Sequence, residues 1–364
     1  MHHDLLVRTL RAPESLGRLS MEGWDILVRQ ARAAGLLARL SHRLKSLGLS
    51  ESIPAPARWH FEAADTLSGK QRKAVHWELL TIQSALADLP VPTVVLKGAA
   101  YVAADLPAAE GRLFNDIDLL VPKAYLADAE SLLMLAGWHP VPLSAYDRRY
   151  YRRWMHEIPP LQHATRETVI DLHHAILPDT ARYHPDPAKL LARATVLPKW
   201  PGLAVLCPED RILHSATHLF HDGELPHGLR DLTDLDLLLR AASDDSGFWH
   251  RLTSRAVELE LARSLFYALR YVTHFLDTPV PDSALDALQP AAPGASTLRV
   301  MDAVFKRALM PDHASCNDAF TPAARVAAYV RAHWLRMPAH LLIPHLFHKA
   351  FVSPYLESRE PRAA

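Results

Sequence analysis

The alternation of apolar and polar positions divides the 364-residue chain into helical ends around a mixed middle. Up to about residue 90, apolar residues recur at three- and four-residue spacing: from Trp24 to Leu40, from His42 to Leu49, and, past the breakers Pro54 and Pro56, from about Ala57 to Leu86. This predicts a helical N-terminal region over 1–90. The period then changes. Val94-Val95-Leu96 is a short apolar run that stops at Lys97-Gly98, and Ala99 to Ala104 after it are helix formers without a breaker. Strand-like alternation follows in Asn115-Asp116-Ile117-Asp118-Leu119-Leu120-Val121 and in Val169-Ile170-Asp171-Leu172-His173. A helix is predicted over Ala124 to Ala136, closed by Gly137. A hairpin is predicted from Leu161–Thr165 and Thr168–His173, turning at Arg166-Glu167. The order strand, helix, strand, helix, strand, strand over 91–200 predicts an α+β core, a small mixed sheet with helices. Residues 201–278 read as a helical domain, with helices from Pro208 to His221, from Gly228, and near 247–260 and 262–276. Residues 279–364 read as a Pro- and Ala-rich linker and C-terminal helices, one of them near 322–336.

Composition narrows the function classes. Lys+Arg and Asp+Glu both number 40, so the formal net charge is zero. That argues against binding nucleic acid by bulk electrostatics and leaves only a local basic groove open. Cys207 and Cys316 are isolated, so neither a disulfide framework nor a zinc motif is expected and a reducing cytoplasm fits. Met1-His2-His3-Asp4-Leu5-Leu6 does not read as a signal peptide, and no apolar stretch reaches the ~20 residues of a membrane span. The expectation is a soluble cytoplasmic protein.

The strongest chemical signal is the acid pair. Residues two apart share one face of a strand, so Asp116 and Asp118 point the same way while Ile117 and Leu119 point into the core. Two like charges side by side are costly unless a cation sits between them, and Mg²⁺ suits carboxylate oxygens. Asp171, on a second alternating run, is the candidate third carboxylate. Strand–Lys97-Gly98–helix places a lysine and backbone N–H groups where phosphate is welcome.

Other clusters carry less. Tyr146-Asp147-Arg148-Arg149-Tyr150-Tyr151-Arg152-Arg153-Trp154 reads as a solvated helix face with aromatics beneath, phosphate or base contact being the alternative. His214, His218 and His221 share a helical face, where packing is favoured over metal binding. Asp231, Asp234 and Asp236 are expected mostly to face solvent or to pair with Arg230 and Arg240. Pro338 to Lys349 fits a docking segment and an ordinary packed helix equally well.

Taken together, Leu96-Lys97-Gly98, Arg112, the run Asn115–Val121 and Ile170-Asp171-Leu172-His173 resemble the DNA polymerase β-like nucleotidyltransferase superfamily. More narrowly they resemble its bacterial branch of uncharacterised nucleotidyltransferases, over roughly residues 20–275. The resemblance implies a core in which the two-aspartate strand lies beside the third-aspartate strand. It implies transfer of NMP from an NTP such as ATP, with release of pyrophosphate, and Asp116, Asp118 and Asp171 as catalytic ligands of one or two Mg²⁺ ions. Lys97, Gly98, Arg112, Asn115 and His173 are the expected nucleotide contacts. His218, His221, Arg230 and Asp231 match a His-rich helix and an Arg-Asp pair after the core. The chain departs from the wider superfamily at Ala99, where a Ser commonly follows the Gly. The acceptor is open: a small molecule, peptide or protein is favoured over long nucleic acid. A catalytically silent nucleotide-binding scaffold and a toxin-like enzyme modifying tRNA or protein are the rival readings.

Overall fold

The computed structural model describes residues 3–221 and 223–348. Its centre is one seven-stranded mixed sheet. The strands are β1 (Thr93–Val95), β2 (Asp116–Leu120), β3 (Trp138–Pro140), β4 (Leu161–His163), β5 (Val169–His173), β6 (Thr195–Val196) and β7 (Leu203–Val205), in the spatial order β3-β4-β5-β2-β1-β7-β6. The apolar residues that predicted the central strands are the ones that bury them: Val94, Val95, Ile117, Leu119, Leu120, Ile170 and Leu172 all lie in the core. β2 runs parallel to β5 and antiparallel to β1, and β1 runs parallel to β7. The expected hairpin is β4–β5, paired Leu161 to Ile170 and Gln162 to Val169.

Three strands were not expected. β3, β6 and β7 are only two or three residues long, too short for a period of two to show. β7 carries the sheet to Val205, past the 91–200 span. The expected linker also holds structure: Pro281 precedes a helical turn and a half, Asp282–Ala287.

Helices enclose the sheet. The N-terminal region contains Leu5–Arg11, Met21–Ala33, Leu37–Ser46 and the long helix Ala55–Ala85, which starts after Pro54 as the Pro breakers predict. After the sheet come Pro208–His221, Gly228–Ala242, Phe248–Glu258 and Ala262–Leu276, and then Ala295–Ala308, Thr321–Arg336 and Ala339–Phe347. One contiguous apolar core runs from Leu5 to Cys316, and Ala328 of the Thr321–Arg336 helix packs in a separate small cluster with Val304 and Ala308. The class is α+β. Among the described residues no helix is long and apolar enough to cross a membrane. Met1, His2, Lys349 and the residues beyond Lys349 lie outside the described residues.

The arginine-rich run is the helix Ala145–Trp154, none of whose residues is buried. Arg152 pairs with Glu130, and Tyr146 and Tyr150 stack on His345 of the C-terminal helix.

Candidate functional site

Parallel pairing of β2 with β5 is in register through the acids: Asp116 faces Val169, Asp118 faces Asp171, and Leu120 faces His173. Side chains at paired positions share a face of the sheet, so the alternation that buries Ile117 and Leu119 brings three carboxylates together. One ligand oxygen from each of Asp116, Asp118 and Asp171 lies within 4.8 Å of the others.

The three acids differ in environment. Asp118 is buried, and its Oδ1 accepts from Lys97 Nζ at 2.7 Å and pairs with His173 Nε2 at 3.1 Å. Burial alone would raise its pKa; the Lys97 ammonium and the His173 hydrogen bond outweigh that and hold it well below the usual carboxylate range. The same contact raises Lys97 despite its burial, so both groups stay charged. Asp171 is pushed up to about 7, by desolvation first and then by the charges of Asp118, Glu157 and Asp116. Asp116 stands exposed at the head of β2, and partial desolvation in the cleft together with Asp118 raises it as well. Behind the acids, burial is opposed at His173 by Asp118 and Glu157, and its pKa rises.

A cleft of about 320 Å³ opens in front of this group. Lys97, Gly98, Arg112, Asn115, Asp116 and Asp118 line it, joined by Tyr101, Ser215, His218, Arg230, Asp231 and Asp234. Of the expected site residues, Asp171 and His173 do not line it: Asp171 reaches it through the carboxylate group and His173 stands behind Asp118. Lys97, expected on phosphate, is turned onto Asp118. Arg148–Arg153 contribute nothing to the cleft lining.

Arg112 owes its place to two glycines. A Cβ at Gly98 would collide with the Arg112 guanidinium and the Phe114 ring. Gly111, at φ +64°, lets the preceding turn lie directly on the backbone of Arg39, where any side chain would overlap. Arg112 Nε donates to Asp234 Oδ2 at 2.8 Å, and Arg39 pairs with the other oxygen of Asp234 at 2.6 Å. Asp231 and Asp236 make the expected pairs with Arg230 and Arg240, and Asp234 departs from the expectation, buried and paired with Arg39 and Arg112 instead. Asp234 and Asp236 are buried, Asp234 against arginines from other elements and Asp236 between Arg240 of its own helix and Thr278. Asp231 pairs with Arg230 at the cleft wall.

The histidine face separates. His218 reaches the cleft, while His214 and His221 are buried and held near 3 by desolvation, and hence neutral. Sequence reasoning missed His156, Glu157, Asp234 and Arg39. His156 and Glu157 sit in a stretch without period. The Leu-rich context of Asp234 disguised it as a surface acid.

A family described as an uncharacterised nucleotidyltransferase matches residues 20–277 of the chain. No curated protein and no solved structure matches it.

Proposed function

The chain belongs to the uncharacterised nucleotidyltransferase family, and we propose that it moves NMP from an NTP to an acceptor nucleophile at the cleft bounded by Asp116, Asp118 and Asp171. The observation that carries this reading is the register of β2 on β5, which sets Asp118 opposite Asp171 with Asp116 on the same face. The donor set fits a hard dication: all three ligands are carboxylates, and Asp171 Oδ1 is buried with no hydrogen-bond partner. Bound Mg²⁺ supplies neutralisation of the phosphate charge and in-line alignment of the attacking and leaving oxygens.

The chain's own residues do the rest. Lys97 and His173 keep Asp118 ionised and fix its carboxylate. Asp171, with its pKa near neutral, is suited to take the proton from the acceptor. Arg112 and Arg230 place guanidinium groups on the cleft wall for the phosphates, and Gly98, having no side chain, leaves the room that the Arg112 guanidinium fills. Asn115 stands at the mouth as a nucleotide contact. Zero net charge and the absence of Arg148–Arg153 from the cleft favour a small molecule, peptide or protein as acceptor over long nucleic acid.

Calorimetric titration of each NTP, with and without Mg²⁺, tests the proposal. Wild type binds at least one NTP only with Mg²⁺, and Asp116→Asn/Asp118→Asn does not. No binding of any NTP by wild type overturns the transferase reading.

The raised Asp171 also predicts a pH dependence. Below about 7 the metal must displace its proton, so Mg²⁺ affinity rises with pH to about 7, by at most about tenfold per unit, and then levels. The metal-free protein shows the opposite trend from this group. Between about pH 4 and 7 the native carboxyl holds a proton that the unfolded chain has released, so stability falls as pH rises. A flat Mg²⁺ affinity between pH 6 and 8 contradicts the assignment.

A further inference from the structure

We propose that His156, Glu157 and His173 form a second metal site, for a transition-metal dication of the zinc type, placed behind the carboxylate group and joined to it through His173. One ligand atom from each of the three lies within 4.8 Å of the others. His173 Nδ1 is 3.3 Å from Glu157 Oε2, at an angle that makes no hydrogen bond. That separation is the edge of a tetrahedral site whose ligands stand about 2.0–2.1 Å from the metal. His156 has only to close in, its ring centre being 5.2 Å from that of His173.

Two further observations point to a ligand. The Nδ1 atoms of both His156 and His173 are buried and have no hydrogen-bond partner, an arrangement that costs free energy unless a ligand takes them up. In addition, His173 gives its other nitrogen, Nε2, to Asp118 at 3.1 Å. Carboxylate–histidine–metal is the arrangement by which proteins fix the ring and tautomer of a ligating imidazole. With Nε2–H directed at Asp118, the Nδ1 lone pair is left on the side of Glu157. A metal would bind that lone pair directly, and a doubly protonated ring would first release its Nδ1 proton to solvent.

The frame is rigid enough to hold such a site. Glu157 bridges to His173 in antiparallel fashion, Ile158 N–H donates to the Leu172 carbonyl at 3.0 Å, and His174 N–H donates to the His156 carbonyl at 2.9 Å. The segment is therefore clamped along the end of β5. Two imidazoles and one carboxylate select zinc, cobalt or iron dications over Mg²⁺, which prefers the all-oxygen group next door. The site would lock the orientation of Asp118 from behind and anchor the chain that follows the Ala145–Trp154 helix.

The test uses the full chain, stripped by chelator and titrated with Co²⁺ in excess Mg²⁺, with visible absorption as readout. The parent carries Asp116→Asn/Asp171→Asn, which removes the oxygen site and leaves the His173–Asp118 bond. We expect one equivalent of Co²⁺ with the intense bands of a four- or five-coordinate, nitrogen-ligated ion, displaced by Zn²⁺. Adding His156→Ala lowers affinity by more than the about 10–100-fold that loss of an outer-shell partner costs. Glu157→Gln is read the same way, and circular dichroism in chelator checks that each variant is folded. Absence of a bound equivalent in the parent, or its survival in folded His156→Ala and Glu157→Gln, overturns the site. No nucleotide enters the experiment, so its failure leaves the transferase reading standing.

Discussion

On the proposed function, Asp118→Asn is expected to reduce transfer of label from an α-phosphate-labelled NTP to any component of a cell extract by at least about a thousandfold. Asparagine keeps the shape and still accepts a hydrogen bond from Lys97 Nζ, so the change isolates the charge. Of the three carboxylates, Asp118 is the one whose surroundings hold it ionised, with the Lys97 ammonium at 2.7 Å and the His173 imidazole at 3.1 Å. Asp116 and Asp171 are both shifted toward their neutral forms. Without the Asp118 charge the group loses the one carboxylate that Lys97 and His173 hold ionised and fixed in place, and a bound dication would lose its strongest anchor. Each factor of ten is about 1.4 kcal/mol, so the predicted loss corresponds to about 4 kcal/mol of transition-state stabilisation. Arg152→Ala, in an exposed pair with Glu130 outside the cleft, serves as the control and retains wild-type transfer. If folded Asp118→Asn stays within tenfold of wild type, Asp118 is an anchor for Lys97 and His173 and not a metal holder.

How much of this was legible depended on whether a signal repeats along one element. Asp116 and Asp118 could be read because apolar neighbours alternate with them, and the alternation that marks the strand also marks the shared face. The register that sets Asp118 opposite Asp171 could not be read that way. It depends on how residues more than fifty positions apart pair, and only the resemblance implied that the two strands are adjacent. β3, β6 and β7 stayed hidden because two or three residues do not make a period, and β7 lies close before the helix that starts at Pro208. The turn from Lys97 was legible, but the direction of its side chain was not. Phosphate is a plausible partner for a lysine beside a helix start, and only the fold reveals that Asp118 is closer. Asp234 misled for the opposite reason. Acids spaced among leucines on a helix normally face water, and nothing nearby announced that arginines 122 and 195 positions away would reach it.

Asp234→Ala is expected to be the most destabilising single substitution at the site, costing about 3–5 kcal/mol of unfolding free energy. The Asp234 side chain is 3% exposed and takes both arginines, Arg39 at 2.6 Å and Arg112 at 2.8 Å, whose side chains are 7% and 11% exposed. Removing it leaves two guanidinium groups in a space from which water is largely excluded. Arg39 keeps hydrogen bonds to Thr233 Oγ1 and to the Ala108 carbonyl, both at 2.6 Å, but these dipoles do not replace a full opposite charge. The arginines come from the Leu37–Ser46 helix and from the loop before β2, and the acid from the Gly228–Ala242 helix, so the cluster ties the N-terminal helices, the sheet and the following helices at one point. Asp234→Asn retains the shape and part of the hydrogen bonding, and falls between wild type and alanine. The exposed pair Arg152–Glu130 sets the scale, since breaking it costs under about 1 kcal/mol. Urea unfolding of the three variants measures the series, and a loss below about 1 kcal/mol for Asp234→Ala contradicts the account. Calorimetry on the folded fraction adds the functional half. Once Asp234 no longer holds Arg112 beside Gly98, the proposed Mg²⁺-dependent NTP affinity is expected to fall even though Asp116, Asp118 and Asp171 are intact.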